Sequence, residues 1–225
     1  MTLEGCLKNE LGLSSGLAIF GAGGFGREVA WLAQQCFGEA ITLTFLVNRP
    51  ALVGSRVNGI PVRDVNEFAE RSGGTPVVIA IGDPRGREAC AYICSAAGMT
   101  FATLAHPRIE ASSWISLGQG SIICAGTILT TNIRLGDHVH VNLGCTIGHD
   151  VEMGDFATLA PGVHVSGQVR LGRRVYIGTG AVLINGTEGK PLVVGDDAVV
   201  GAGACVTRDV EAGSLVVGVP AKQKK

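Results

Sequence analysis

A chain of 225 residues with a net charge of −1 has room for one large domain or two modest ones, and its charge suits neither nucleic acid nor an anionic membrane surface. Glycine is abundant, at 34 residues, while aromatics make up only 5%, a balance that favours tight corners and small interior side chains. No apolar run reaches the about 20 residues needed to span a bilayer. Seven scattered cysteines, without a CxxC pair or a metal-type spacing, point to a reducing, cytoplasmic setting.

Residues 1–15 carry no strong period and read as an N-terminal arm. Leu17-Ala-Ile-Phe20 is a short buried strand, followed at once by Gly21-Ala-Gly-Gly-Phe-Gly26 and a helix to about Cys36. A second strand spans Ile41 to Val47, a turn and short strand cover Val57 to Val62, and a short helix covers Val65 to Arg71. Pro76 to Ile81 is another buried strand ending in Gly82-Asp83; a helix from Arg85 to Ala97 and a strand near Phe101 to Leu104 follow. Strands alternating with helices imply a parallel, Rossmann-like α/β domain over residues 16–105.

Gly21, Gly23 and Gly26 satisfy GxGxxG between a strand and a helix, with Gly24 and Phe25 inside the loop. A dinucleotide site also wants an acid at the end of the second strand, and here that strand ends Val47-Asn48. The phosphate half of the motif survives: bare N–H groups at a helix N-terminus favour an anion. A nucleotide or nucleotide-sugar phosphate therefore fits better than NAD. The blander alternative is that the glycines serve only close strand–helix packing. Gly82-Asp83, at the end of a neighbouring strand, forms the second wall of the crevice.

After His106-Pro107 the period changes to six. Ile109, Ile115, Ser121, Thr127, Ile133, Val139, Cys145, Val151, Ala157, Val163, Val169, Val175 and Ala181 are all small or β-branched, and the residue two places after each is apolar. A slip at Thr187-Glu-Gly-Lys-Pro191 shifts the register before it resumes at Leu192, Ala198, Ala204 and Val210. This hexapeptide period predicts a parallel β-helix over residues 106–225, each hexad supplying one short strand and a corner.

Gly136-Asp137, Gly154-Asp155 and Gly195-Asp196 are ordinary corners, but at Gly148-His149-Asp150 a histidine replaces the aspartate and an acid follows it. Histidine titrates near neutral pH, and a neighbouring carboxylate can fix its tautomer. Three hexads make a coil, which stacks His149 between Thr131 and Gly167. A solvated corner histidine is the plain alternative. His138 and His140 are expected to face outward, and His164 to be a surface or subunit contact. The histidine spacings do not gather around one metal, so no metal is expected.

The combination of Phe20-Gly-Ala-Gly-Gly-Phe-Gly-Arg-Glu28, Val78-Ile-Ala-Ile-Gly-Asp83, the hexads, Ile147-Gly-His-Asp150 and Gly218-Val-Pro-Ala-Lys222 resembles the sialic acid O-acetyltransferase (NeuD/PglD-like) family of hexapeptide-repeat acetyltransferases. The resemblance covers residues 16 to 222. It implies a left-handed coil and a homotrimer with active sites between neighbouring coils. It also implies acetyl-CoA as co-substrate and N-acetylation of a nucleotide-linked amino sugar, of the 4-amino-4,6-dideoxy type, in bacterial surface-glycan synthesis. By that resemblance His149 is the general base, Asp150 its acidic partner and Gly167 the oxyanion donor. Thr158, Gly178, Gly180, Gly201, Pro220 and Lys222 fall on the acetyl-CoA side. Gly21, Gly23, Gly24, Phe25, Gly26, Asn48, Gly82, Asp83 and Asn142 fall on the substrate side.

Two positions depart from the family pattern. Relatives that bind UDP-sugars carry acids where this chain has Val47-Asn48, and a residue often His near the CoA thiol is Thr158 here. Cys145 sits at an inward repeat position, so direct transfer without a covalent acyl-enzyme is expected. The alternatives are O-acetylation of a sialic acid or another sugar, a γ-carbonic-anhydrase-like metalloenzyme, and a non-catalytic nucleotide-sugar scaffold.

Overall fold

The computed structural model describes residues 16–71 and 74–224; the expected arm over residues 1–15 lies outside the described residues. Five strands form an open sheet: β1 (Leu17–Phe20), β2 (Leu43–Val47), β3 (Arg56–Val57), β4 (Ile60–Asp64) and β5 (Val77–Ile79), in the order β3-β4-β2-β1-β5. β1 pairs in parallel with β2 and with β5, β2 pairs in parallel with β4, and β3 folds back on β4 as an antiparallel hairpin. The helices are α1 (Gly24–Phe37), α2 (Val65–Arg71) and α3 (Pro84–Ala96). All of β1 is buried, as its uninterrupted apolar run requires when both faces of a parallel strand are covered. Strand order reverses at β1, with β2 on one side and β5 on the other. That reversal sets Gly21 and Gly82 at the carboxyl ends of β1 and β5, the place where open α/β sheets form their ligand crevice.

The strand expected near Phe101 to Leu104 belongs elsewhere. Phe101 makes an isolated bridge to Val77, but the strand that follows is Leu104–Ala105, and it pairs with Ile122–Ile123 as a rung of the coil. Leu104 and Ile122 are both wholly buried in the core that contains β1 and α1. A shared apolar core thus joins the α/β domain directly to the coil.

The rest of the chain is a left-handed parallel β-helix with three faces, containing eight, six and five strands. Face one includes His140–Val141 and Thr158–Leu159, face two Thr146–Ile147 and His164–Val165, and face three Ile133–Leu135 and Glu152–Met153. Residues eighteen apart pair from coil to coil, His140 with Thr158 and Thr146 with His164. Across Thr187-Glu-Gly-Lys-Pro191 the spacing becomes twenty-three, as between Arg173 and Asp196, and in the last coil it is sixteen, as between Val199 and Leu215. The insertion is a small turn in which Thr187 and Lys190 exchange backbone hydrogen bonds, so it leaves the coil without breaking it.

The alternation of the hexads is the alternation of the pleat. Val139, Cys145, Val151, Ala157, Val163, Val169 and Val175 are all 0% exposed, and burying an aliphatic side chain of this kind is worth about 1.5–3 kcal/mol. Two inward positions are polar and both are satisfied. Ser121 Oγ donates to Gly136 O and accepts from Val139 N, and Thr127 Oγ1 donates to Asn142 O. Ala111, two places after Ile109, is exposed near the start of the coil.

Corners need a residue with positive φ. Between faces one and two every such residue is a glycine: Gly126, Gly144, Gly162, Gly180 and Gly203. The other two corners use side chains in their middle coils, Asn132, Asp150 and Gln168 in one column and His138, Phe156, Arg174 and Asp197 in the other, the latter column beginning with Gly120 and ending with Gly213. A left-handed backbone costs a non-glycine residue roughly 1–2 kcal/mol.

Candidate active site

His149 stands at the corner between faces two and three, and its Nδ1 lies 2.8 Å from Asp150 Oδ2. The Asp150 carboxylate can only accept, so Nδ1 carries the proton and Nε2 is left free to take one. Asp150 is held from both neighbouring coils: Asn132 Nδ2 donates to Oδ1 at 3.2 Å, and Gln168 Nε2 donates to Oδ2 at 3.1 Å. The hydrogen bond from His149, reinforced by Asn132 and Gln168, keeps the carboxyl below its usual range. Both His149 and Asp150 remain open to solvent.

Gly167 lies in the next coil directly beneath the imidazole. A Cβ there would come within 2.4 Å of His149 Nε2 and 2.6 Å of Cε1, so the ring occupies the space a side chain would fill. Gly167 O accepts from Gly186 N, and no hydrogen bond among the described residues uses the Gly167 N–H. The same corner column leads into the inserted turn. Pro191 joins Asn132, Asp150, Gln168, Arg134 and Trp114 around a groove of about 600 Å³ on the Asp150 side of the corner.

The glycine loop behaves as two kinds of position. Gly21 (φ +116°) and Gly26 are packing glycines: a Cβ on Gly26 would meet Gly21 O at 1.9 Å. Gly23 and Gly24 face open space, and Gly23 begins α1 with no side-chain cap, which leaves the N–H groups of its first turn available to an anion. The packing reading therefore holds at Gly21 and Gly26, while Gly23 and Gly24 are left open at the helix N-terminus. Phe25 rests on the His140 ring, with centroids 5.2 Å apart, and so is as much a domain contact as a wall of the crevice. Asn48 is exposed after β2. Gly82 and Asp83 line a cleft of about 540 Å³ with Arg85, Arg174, Tyr176 and Asp197, while the Asp83 carboxylate caps α3 through Gly86 N.

Several expected residues fall elsewhere. Thr158 is buried on face one beneath the α/β domain, and its hydroxyl accepts from Arg87 Nη2, so within one chain it does not meet His149. Asn142 turns its amide inward to Leu159 O at 2.7 Å and is likewise spoken for. Gly178 and Gly201 are accounted for by coil stacking, since a Cβ would meet Ala202 N at 2.6 Å and Val217 Cγ1 at 2.8 Å respectively. Gly180 belongs to the all-glycine corner. Pro220 and Lys222 lie in the tail, where Lys222 pairs with Val217.

His138 and His140 do not face outward as expected: they are 4% and 1% exposed, because the α/β domain covers their corner and face one. Burial and the charge of Arg87 push the His140 imidazole well below its ordinary value, so it is neutral. His164 stands on face two with Thr146 Oγ1 at 2.8 Å. Cys145 is buried, its thiol pushed up to about 11 by burial, and it donates to Ala160 O. The histidines thus occupy separate columns, and among the described residues no three His, Cys, Asp or Glu gather as a metal site. No helix among the described residues is long and apolar enough to cross a membrane.

Sequence reasoning missed Asn132 and Gln168, although both lie eighteen residues from Asp150 and the coil period could have found them. It missed Arg87 too. The signal there was an arginine on the same helical stripe as Ala91 and Cys94, at a position that packs inward.

A left-handed β-helix with an acid-supported histidine at an open corner, joined to an α/β domain with a glycine loop at an uncapped helix start, defines a hexapeptide-repeat acyltransferase. Comparison with known proteins narrows the class. The PglD N-terminal domain matches residues 16–92. GDP-perosamine N-acetyltransferase of Escherichia coli O157:H7 is 33% identical over 217 residues, covering 92% of this chain and 95% of the relative. Among solved structures, WeeI from Acinetobacter baumannii AYE superposes with a TM-score of 0.87 at 35% identity, over 93% of this chain and 100% of that one. PerB from Caulobacter crescentus, in complex with CoA and GDP-perosamine, gives 0.83 at 30% identity, over 94% and 98%. The chain belongs to the PglD/NeuD-like family of acetyl-CoA-dependent acetyltransferases, and it N-acetylates a nucleotide-linked amino sugar in glycan synthesis.

Proposed function

We propose that His149 is the general base of this transfer, that Asp150 orients and supports it, and that the Gly167 N–H receives the oxyanion. The observation that carries the reading is the 2.8 Å contact between His149 Nδ1 and Asp150, with Nε2 turned onto Gly167. The sugar amine attacks the acetyl carbonyl of acetyl-CoA while Nε2 takes its proton. The tetrahedral oxyanion then collapses, expelling the CoA thiolate, which regains the proton from the imidazolium. No protein thiol intervenes, and buried Cys145 could not reach the ester.

The acceptor is a GDP-linked 4-amino-4,6-dideoxy sugar of the perosamine kind, on the strength of the Escherichia coli and Caulobacter crescentus relatives. Its phosphates lie at Gly23, Gly24 and the start of α1, with Gly82 and Asp83 opposite. The absence of an acid after β2 agrees with a nucleoside other than uridine. The chain works as a cytoplasmic homotrimer, and exposed Ile128 and Val182 give face two the apolar surface for subunit contact.

A CoA-release assay against UDP-, dTDP- and GDP-linked amino sugars and free sialic acid tests the acceptor, with turnover on the GDP-linked amine alone expected. His149→Ala should abolish turnover and leave acetyl-CoA affinity nearly unchanged; near-normal turnover would remove His149 from the role. Sedimentation at micromolar concentration decides the trimer.

A further inference from the structure

The guanidinium of Arg87, on α3, is 0% exposed, and no carboxylate is bonded to it among the described residues. Isolated buried charges are expensive, and this one is met by an unusually complete set of acceptors. On the α/β side, Nη1 donates to Ile81 O at 2.8 Å and Gly82 O at 3.2 Å. On the coil side, Nε donates to His138 O at 3.0 Å, Nη2 donates to Phe156 O and to Thr158 Oγ1 at 2.8 Å, and Nη1 reaches His140 Nδ1 at 3.1 Å. Arginine cannot accept, so His140 Nδ1 must be the acceptor, which agrees with a neutral ring. One planar group therefore ties the loop at Ile81-Gly82 to two coils of the β-helix.

His140 carries the other half of the connection. Its ring supports Phe25, from the glycine loop, on one side and receives Arg87 on the other. Both walls of the crevice at the reversal of strand order thus rest on the Arg87–His140 pair, Gly21–Gly26 through Phe25 on His140 and Gly82–Asp83 through the Gly82 carbonyl on Arg87. The crevice is a pair of loops, and loops take their position from what they are fastened to.

We propose that Arg87 and His140 form a positioning strut that fixes the nucleotide-sugar crevice on the β-helix, so that Arg87 governs how the acceptor is held while taking no part in the chemistry. A salt bridge in its place could slide or exchange with solvent. A forked, fully buried group with acceptors on both domains fixes distance and angle together.

The inference rests on the nucleotide-sugar assignment of the crevice, and the test separates the two. Arg87→Lys keeps the charge but replaces the fork with a single ammonium that cannot serve both domains. The expected result is a KM for the nucleotide-linked amine raised about tenfold, with kcat at saturating acceptor and the KM for acetyl-CoA within about twofold of the parent. A purely structural arginine would lower the unfolding temperature and leave the acceptor KM alone. Thr158→Val removes one acceptor from the strut, keeps its shape and serves if Arg87→Lys does not fold, with a rise of about threefold expected. An unchanged acceptor KM in whichever variant folds overturns the proposal. Gly23→Asp is the control on the crevice. If it too leaves acceptor KM unchanged, the site assignment has failed; if it raises KM while the strut variant does not, only the strut has.

Discussion

His149 and Gly167 fit together as ring and vacancy: the imidazole lies where a Cβ on Gly167 would sit, 2.4 Å from Nε2. The glycine is required for space, since its φ is not in the left-handed region. Gly167→Ala should therefore fold with nearly the parent unfolding temperature, yet push the ring off its bond to Asp150. A kcat reduced about a hundredfold, with acetyl-CoA binding retained, is the expected outcome. Parent-like kcat would mean that the ring does not need this seat.

Asp150 is oriented by amides from the coils above and below, and removing them should loosen the base without touching it. Gln168→Ala and Asn132→Ala each leave His149 and Asp150 in place but free the carboxylate to rotate. Each should lower kcat roughly threefold to tenfold and leave the KM for the acceptor largely unaltered. The double variant should show less than the product of the two effects, because the amides act on one carboxylate. Strictly multiplicative losses would argue that the amides serve separate purposes.

Gly23 offers a substitution in which stability and function should move in opposite directions. A Cβ at Gly23 meets nothing within 4 Å, and its φ of −81° is ordinary for an N-cap. Aspartate there caps α1 and favours its dipole, worth about 0.5–1 kcal/mol, while placing a negative charge where the proposed site would hold the phosphates. Gly23→Asp should keep or raise the unfolding temperature and raise acceptor KM by at least about tenfold, more at low salt. Thermal unfolding beside steady-state kinetics reads both signs.

The coil was legible in the sequence because its period is local and each hexad places a small or β-branched residue inward with an apolar one two places on; even the slip at Thr187–Pro191 appears as the same five-residue change of register. His149 was legible as an exception to the aspartate corners. What the period could not convey was which face the α/β domain would cover. His138, His140 and Thr158 carry outward parity within the hexads, and outward on face one means inward in the whole molecule. The left-handed residues record the same division. Where a corner only turns the chain, as at Gly126, Gly144 and Gly162, glycine suffices. Where it carries a side chain with work to do, as at Asp150 or His138, the backbone cost is accepted.

His138 turns that covered face into a measurable pH dependence. Its ring is stacked on Phe156 at 5.0 Å and set edge-on to Phe101 at 4.6 Å. Burial drives its pKa down to about 4; the charge of Arg87 pushes the same way, and Asp137 and Asp155 oppose it. The unfolded chain, with an ordinary histidine near 6.5, binds the proton that the folded chain refuses, so stability rises with pH across this window. Its contribution is fully present above about pH 6.5 and is lost as the pH falls towards 4, at up to about 1.4 kcal/mol per unit. Neutral, buried His140 adds to the loss in the same direction. Denaturant unfolding at pH 7 and pH 4.5 should show a decline of a few kcal/mol. His138→Asn tolerates the left-handed backbone and does not titrate, so it should be less stable at pH 7 but decline less on acidification. An equal decline in parent and variant would place the acid sensitivity elsewhere, most directly on the ion pairs of Glu88 with Arg173 and Arg174 and of Asp197 with Arg174.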